Sequence, residues 1–280
     1  MIEHNPWGTT METAEIIAVG NELLSGDIQD TNTHWLCRQI TGLGGQVGRT
    51  AMIPDDAPGI TAEVRGALAR RSRLILTVGG LGPTADDVTV AAVAEAANRP
   101  LALSEAALAM VQAAYDRFTR QGFVEDAAMT ESRRKMAMLP TGAEPLNNPV
   151  GAAPGVLLQV DRCTIVSLPG VPDELKGIFG GALRPTLRRI FGGGAFAERV
   201  FVADCGDESV LSPVLAEVAA KHPDAYIKSR PRRFGPDVRI RILVSARGTS
   251  AEAALRSLER AASHTRQALE SRGIRLEPEP

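Results

Sequence analysis

Gly79-Gly80-Leu81-Gly82-Pro83-Thr84-Ala85-Asp86-Asp87 decides how this chain is read. An apolar run, Leu74 to Val78, precedes it and reads as a buried strand. A run rich in Ala and Val, Val88 to Ala97, follows and reads as a helix. A strand, a glycine-rich turn and a helix start are the parts of a phosphate site: glycine lets the backbone approach a ligand, and the free N–H groups of the first helical turn point at it. The two carboxylates complicate that picture. At about 4 Å and an effective dielectric near 20, each contact between a phosphate and a carboxylate costs on the order of 4 kcal/mol. The helix dipole returns only about 0.3–1 kcal/mol to an acid at that end. A phosphate and both acids therefore share the turn only with a cation between them, or with the acids turned away.

The simpler reading of the segment is a tight turn with Asp86 as N-cap and Asp87 facing the dipole. One glycine would serve that purpose, and the segment has three, with a proline and a threonine besides. The functional reading assigns Gly79, Gly80, Leu81, Gly82, Pro83 and Thr84 to ligand binding. The Gly80 and Gly82 backbone and the Thr84 hydroxyl hold phosphate oxygens, and Asp86 or Asp87 holds a divalent cation, directly or through its waters.

Around this turn, short apolar runs alternate with helical segments. Ile16 to Val19, Gln46 to Met52 and Leu74 to Val78 read as strands, and Thr31 to Ile40 and Ala57 to Ala69 as helices. That alternation predicts βαβ units and a mostly parallel sheet with helices on both faces. Ser104 to Arg120 reads as a long amphipathic helix, with a second helix near Ala128 to Met136. Leu139 to Pro154, rich in Pro, Gly and Asn, reads as a structured loop. Gly155 to Val160 and Thr164 to Leu168 read as strands joined by a turn at Asp161-Arg162, and Pro172 opens a further helix.

The glycines of Phe191 to Ala195 mark a boundary. Residues 1–10 are expected to be a disordered lead-in, 11–190 the α/β domain and 196–275 a small α+β domain. The second domain reads as βαββα, of the ferredoxin-like or KH-like kind.

Two other strand ends carry polar groups, and in open α/β sheets ligands bind outside those ends. In Gly20 to Asn32, Glu22 is a candidate metal ligand or general base, and Asp30 and Asn32 can accept hydrogen bonds from a ligand. The alternative is a solvated loop with Asp30 as a helix cap. In Ser167 to Glu174, Ser167, Pro169, Gly170 and Glu174 are placed on the rim of the same crevice. Asn147 to Pro154, which includes Asn148 and Gly151, is expected to wall it. The catalytic and metal-binding set is thus Asp86, Asp87 and Glu22.

Composition narrows the function. The chain has 280 residues, 44% hydrophobic and 23% charged, with a formal net charge of −2. That charge gives no general attraction to nucleic acid or to an acidic membrane, and no apolar run approaches the length of a membrane span. No signal pattern is present, so a cytoplasmic protein is expected. Cys37, Cys163 and Cys205 form no disulfide framework, and the four scattered histidines have no zinc spacing. The chain lacks a P-loop lysine motif and a nucleophile elbow. Arg230, Arg232 and Arg233 read as a solvated hairpin tip rather than an RNA surface.

Together, Gly79-Gly80-Leu81-Gly82-Pro83-Thr84-x-Asp86-Asp87-x-Thr89, Gly20-x-Glu22-Leu23-Leu24-x-Gly26, Asp30-Thr31-Asn32, Asn148-x-x-Gly151-x-Ala153-Pro154-Gly155 and Leu168-Pro169-Gly170-x-Pro172-x-Glu174 resemble, in order, the blocks of the competence/damage-inducible protein A (CinA) family. Gly206-Asp207-Glu208-Ser209 resembles the start of that family's KH-like second domain. The resemblance implies the molybdopterin-binding fold of MoaB and MogA. It also implies a metal-dependent ADP-ribose pyrophosphatase using Mg, Mn or Co, or alternatively a protein that binds molybdopterin without turnover. A small-molecule nucleotide diphosphate or pterin and a homodimer are the partners expected. Asn21 stands where the family often has Asp. Leu81 resembles CinA more than the threonine of the molybdopterin adenylyltransferases. The sequence ends at Pro280, so the nicotinamide-mononucleotide deamidase activity of longer members is not expected here.

Overall fold

The structure, a computed structural model, describes residues 13–192, 194–231 and 239–278. The expected lead-in over residues 1–10, and Arg232 and Arg233 of the basic cluster, lie outside the described residues. Two compact units emerge. One comprises residues 13–40 and 45–190, and the other residues 41–44 and 191–278. No helix among the described residues is long and apolar enough to cross a membrane.

In chain order the larger unit contains β1 (Thr13–Val19), α1 (Asn21–Ser25), α2 (Thr31–Gly42), β2 (Gln46–Ile53), α3 (Ala57–Ala69), β3 (Leu74–Val78) and α4 (Thr89–Ala96). There follow β4 (Leu101–Leu103), α5 (Glu105–Arg120), α6 (Glu131–Lys135), β5 (Met138–Pro140), β6 (Glu144–Leu146), β7 (Gly155–Val160), β8 (Cys163–Leu168) and α7 (Pro172–Ile178). A π-helical turn, Phe179–Leu183, leads into α8 (Arg184–Phe191).

The main sheet runs β2-β1-β3-β8-β7-β6. Its first four strands are parallel and the last two pairings antiparallel. β3 and β8 are buried along their whole length, as central parallel strands flanked by helices must be. Ile17, Ile75 and Ile165 of the sheet pack with Ile60 and Val64 of α3 and Val93 of α4 in one core cluster. The Asp56 carboxylate accepts from the Gly59 amide at 2.8 Å and caps α3.

Register places the site. Val19 pairs with Ile53, Ala18 with Val78, and Val78 with Leu168, so β1, β2, β3 and β8 end together. The chain goes from β1 outward to β2 and then returns to the other side of β1 with β3. The strand order therefore reverses between β1 and β3, and a crevice opens beyond those two ends.

Three local expectations need correction. Leu139 to Pro154 is not only loop: β5 pairs with β4, and β6 extends the main sheet beside β7. Pro140 and Pro145 disguise these strands, yet three-residue pairings at the margins of sheets tolerate a missing donor. The helix expected near Ala128 to Met136 shortens to α6, started by the Thr130 hydroxyl accepting from the Arg133 amide at 3.2 Å. The loop after β1 contains the single turn α1.

The smaller unit contains β9 (Ala195–Ala203), α9 (Glu208–Lys221), β10 (Ala225–Pro231), β11 (Ile240–Gly248), α10 (Ala251–Glu270) and β12 (Leu276–Pro278). Its antiparallel sheet runs β10-β11-β9-β12. β12 adds a sixth element to the expected βαββα order. α10 buries Ala254, Leu258, Ala261, Thr265 and Leu269, a stripe at helical spacing; Leu258, Ala261 and Leu269 share a core cluster with Phe201, Ile242 and Val244 of the sheet.

Candidate functional site

A cleft of about 570 Å3 lies beyond the ends of the parallel strands. Gly79, Gly80, Leu81, Gly82 and Pro83 form one wall, with Asp86 and Asp87 beside them. The loop after β1 contributes Glu22, Asp30 and Asn32, and the turn after β8 contributes Pro169, Gly170 and Glu174. Three segments separated in sequence thus meet where the reversal of strand order predicts a ligand.

Backbone geometry explains the glycines. Gly79 and Gly80 have φ of 106° and 68°, in the left-handed region. A Cβ at Gly79 would collide with the Val19 carbonyl oxygen of β1, and one at Gly80 with the Thr89 hydroxyl. The Gly79 amide donates to the Leu168 carbonyl at 2.9 Å, tying the turn to β8. The amides of Gly80, Leu81 and Gly82 find no acceptor among the described residues. Successive unpaired amides in a glycine turn are a concavity for an anion.

The acids do not cap α4. That helix begins at Thr89, and Val88, at its N-cap, makes no side-chain bond. Asp87 turns back on the loop instead: its Oδ2 accepts from the Thr84 amide at 2.8 Å and from the Thr84 hydroxyl at 2.7 Å. The Thr84 hydroxyl also contacts Asp86 Oδ1, and the Lys135 ammonium donates to the Thr84 carbonyl. The hydroxyl assigned to phosphate oxygens is therefore engaged by the acids. It holds the Asp86 carboxyl below the usual range, with Asp86's own amide adding to the effect. A Cβ at Gly82 would stand 2.6 Å from Asp87 Oδ2, so the carboxylate rests against the bare glycine.

On the opposite wall, Glu174 is half-buried in the first turn of α7. Burial raises its pKa, and a hydrogen bond from Asn148 Nδ2 to Oε2, 2.6 Å long, opposes the rise. Asn148 is itself buried. It also donates to the Ala153 carbonyl at 2.8 Å and accepts from the Val150 and Gly151 amides at 3.0 and 2.9 Å. Gly151 is packed so closely on the Glu174 carboxylate that a side chain there would have to displace it. Asn148 and Gly151 thus stand behind Glu174 rather than in the cleft wall. Ser167 stands apart as well, buried in β8, where its hydroxyl accepts from Thr77 at 2.8 Å.

The loop after β1 is organised locally. Asp30 accepts from the Thr33 amide at 2.9 Å at the start of α2. Asn32 donates to the Gly170 carbonyl at 2.7 Å, joining this loop to the turn after β8. Glu22 folds over its own loop, leaving an oxygen 2.6 Å from where a Gly20 Cβ would stand. Among the described residues no three His, Cys, Asp or Glu side chains gather as a ligand set. Asp86 and Asp87 both reach Thr84 and set two carboxylates side by side at the glycine turn.

Asp55 and Tyr115 are among the lining residues that the sequence did not single out. Asp55 follows β2, and its Oδ2 accepts from the Asn21 amide at 2.8 Å. The strand-end rule applied to β2 would have found it. Tyr115 comes from the middle of α5, where one aromatic on an amphipathic face gives no signal. With Asp55 included, six carboxylates line the cleft (Glu22, Asp30, Asp55, Asp86, Asp87 and Glu174), and among the described residues its lining contains no Lys, Arg or His.

Fold and cleft together define an α/β ligand-binding domain whose site lies at the reversal of strand order in a mostly parallel sheet. Residues 15–189 match the family described as "Probable molybdopterin binding domain", and the chain belongs to that family. A protein of Aeropyrum pernix is 43% identical over 263 residues, 93% of this chain and 94% of its own length. Protein TK1472 of Thermococcus kodakarensis is 39% identical over 264 residues, covering 94% and 98% of the two chains. Among solved structures, CinA of Thermoplasma acidophilum, described there as of unknown function, is similar with a TM-score of 0.56 and 36% identity. That match covers 62% of this chain and 98% of the other.

Proposed function

We propose that this protein is a divalent-metal-dependent pyrophosphatase acting on ADP-ribose or a related nucleotide diphosphate. One observation carries the reading. A glycine turn whose three successive amides have no acceptor among the described residues opens into a cleft whose described lining has six carboxylates and no cationic side chain. An anionic ligand in such surroundings needs a cation, since each unscreened contact costs on the order of 4 kcal/mol.

In this reading the amides of Gly80, Leu81 and Gly82 hold diphosphate oxygens, and Asp86 and Asp87 hold the cation. The cation, when bound, would neutralise phosphate charge and lower the pKa of a water. Thr84 orients both carboxylates. Glu174, its proton affinity raised by burial, takes the proton of the attacking water. Asn148 orients that carboxylate from behind. Glu22 and Asp55 add two further carboxylates to the lining, which favours a ligand that arrives together with its counter-ion.

Substituting Asp87→Ala tests this. Metal-stimulated release of AMP from ADP-ribose should disappear while the fold persists; undiminished turnover would end the assignment. A second reading, binding of molybdopterin or another phosphorylated pterin without hydrolysis, is favoured by the family's description. Tight pterin binding by calorimetry, with no ADP-ribose hydrolysis in Mg, Mn or Co, would select it.

A further inference from the structure

We infer that Tyr115 is a stacking platform that makes this cleft select ligands joining a phosphate to a planar heterocycle; the inference rests on the phosphate reading of the glycine turn. Beside the carboxylates, the cleft has a second, apolar wall made of Leu81, Tyr115, Met136, Ala152 and Ala153. These five belong to one hydrophobic cluster with Val111 of α5. Leu81 is a member of both walls. It sits between the unpaired amides of Gly80 and Gly82 and packs in the cluster that contains Tyr115. The apolar wall thus begins at the anion-binding turn, and a ligand anchored there by phosphate has its next few atoms beside an aromatic ring.

Tyr115 is held for that task. The Arg133 guanidinium lies over one face of its ring, with Cζ 3.8 Å from the centroid. Arg133 is fixed in turn by the carbonyls of Asp126 and Ala128, at 3.1 and 2.7 Å. Phe118 meets the ring edge-on, with centroids 5.9 Å apart and planes at 81°. A ring clamped by a cation on one side and an aromatic edge on another loses little freedom when a base stacks on it. A heterocycle gains from such a surface and a bare sugar phosphate does not. Nucleotide bases and pterins share the chemistry recognised here, a flat electron-poor ring carrying a phosphate.

The test is calorimetry on the whole protein with Mn present, titrating a non-hydrolysable methylene-bridged analogue of ADP-ribose, a pterin monophosphate and ribose 5-phosphate into wild type, Tyr115→Phe and Tyr115→Leu. Tyr115→Leu should weaken whichever ring-bearing ligand wild type binds by about tenfold or more, and Tyr115→Phe should stay near wild type. Ribose 5-phosphate should bind all three proteins alike, which also reports that the leucine variant is folded. Equal losses for ligands with and without a ring, or no loss in Tyr115→Leu, would overturn the platform alone. If wild type binds none of the three, the platform falls together with the phosphate reading. The ring-bearing ligand bound more tightly by wild type distinguishes base from pterin.

Discussion

Asn148 Nδ2 and Glu174 Oε2 lie 2.6 Å apart, one side chain wholly buried and the other half-buried on the cleft wall. The amide works against the effect of burial. Burial raises the Glu174 pKa, and the donated hydrogen bond holds the rise in check. Turnover that needs the ionised carboxylate should therefore grow as pH rises through the Glu174 pKa. Asn148→Ala removes the bond that favours the charged form, so the acid limb of the kcat/KM profile should move to higher pH. Glu174→Gln should abolish that limb and most of the activity, by about 100-fold or more. A pH–rate series on the three proteins checks both outcomes.

Gly79 and Gly82 should respond differently to the same added methyl. At Gly79 the new Cβ meets the Val19 backbone oxygen at a left-handed φ, and backbone cannot step aside. Gly79→Ala should cost roughly 2–5 kcal/mol of stability, read from urea unfolding. At Gly82 the new Cβ meets the far end of Asp87, which can rotate away. Gly82→Ala should keep its urea midpoint and lose metal-stimulated turnover.

Far from the cleft, Glu15 of β1 is buried and accepts from Arg70 Nε at 2.9 Å, from Arg70 Nη2 at 2.7 Å and from the Ser72 hydroxyl at 2.5 Å. Burial pushes its pKa up, but these bonds and the charges of Arg70 and Arg49 outweigh it, and the carboxyl stays below its usual range. A depressed carboxyl pKa gives stability that is full above the unfolded-state value and lost as pH falls through the folded one. Arg70→Ala should therefore cost about 1–2 kcal/mol at pH 7, discounted because the guanidinium is 44% exposed. The gap in Tm between variant and wild type should close once pH falls below the depressed folded-state pKa, where Glu15 is protonated in both states. Thermal unfolding at neutral and acid pH gives the comparison.

Much of this was legible in the sequence for identifiable reasons. β3 and β8 read as strands because a parallel strand covered on both faces is apolar without alternation, as in Leu74–Val78. The glycine turn stood out because a tight turn alone does not need three glycines. β4, β5 and β6 were not legible, since three residues carry no period and two of these strands contain proline. Ser167 looked like a rim residue from its place near a strand end, but side chains alternate along a strand, and this one faces Thr77. The partnership of Thr84 with Asp86 and Asp87 was hidden as well: the same spacing serves equally for a helix cap, and only the late start of α4 at Thr89 separates the two.

The central claim is that a cation stands between phosphate and the pair Asp86 and Asp87. The affinity of a non-hydrolysable methylene-bridged analogue of ADP-ribose in EDTA and in Mn, for wild type and for the double variant Asp86→Asn/Asp87→Asn, tests it most directly. Wild type should bind far more tightly with Mn than in EDTA. The variant, freed of two like charges, should bind in EDTA better than wild type does and should gain little from Mn. Equal wild-type affinity in EDTA and Mn would contradict the claim.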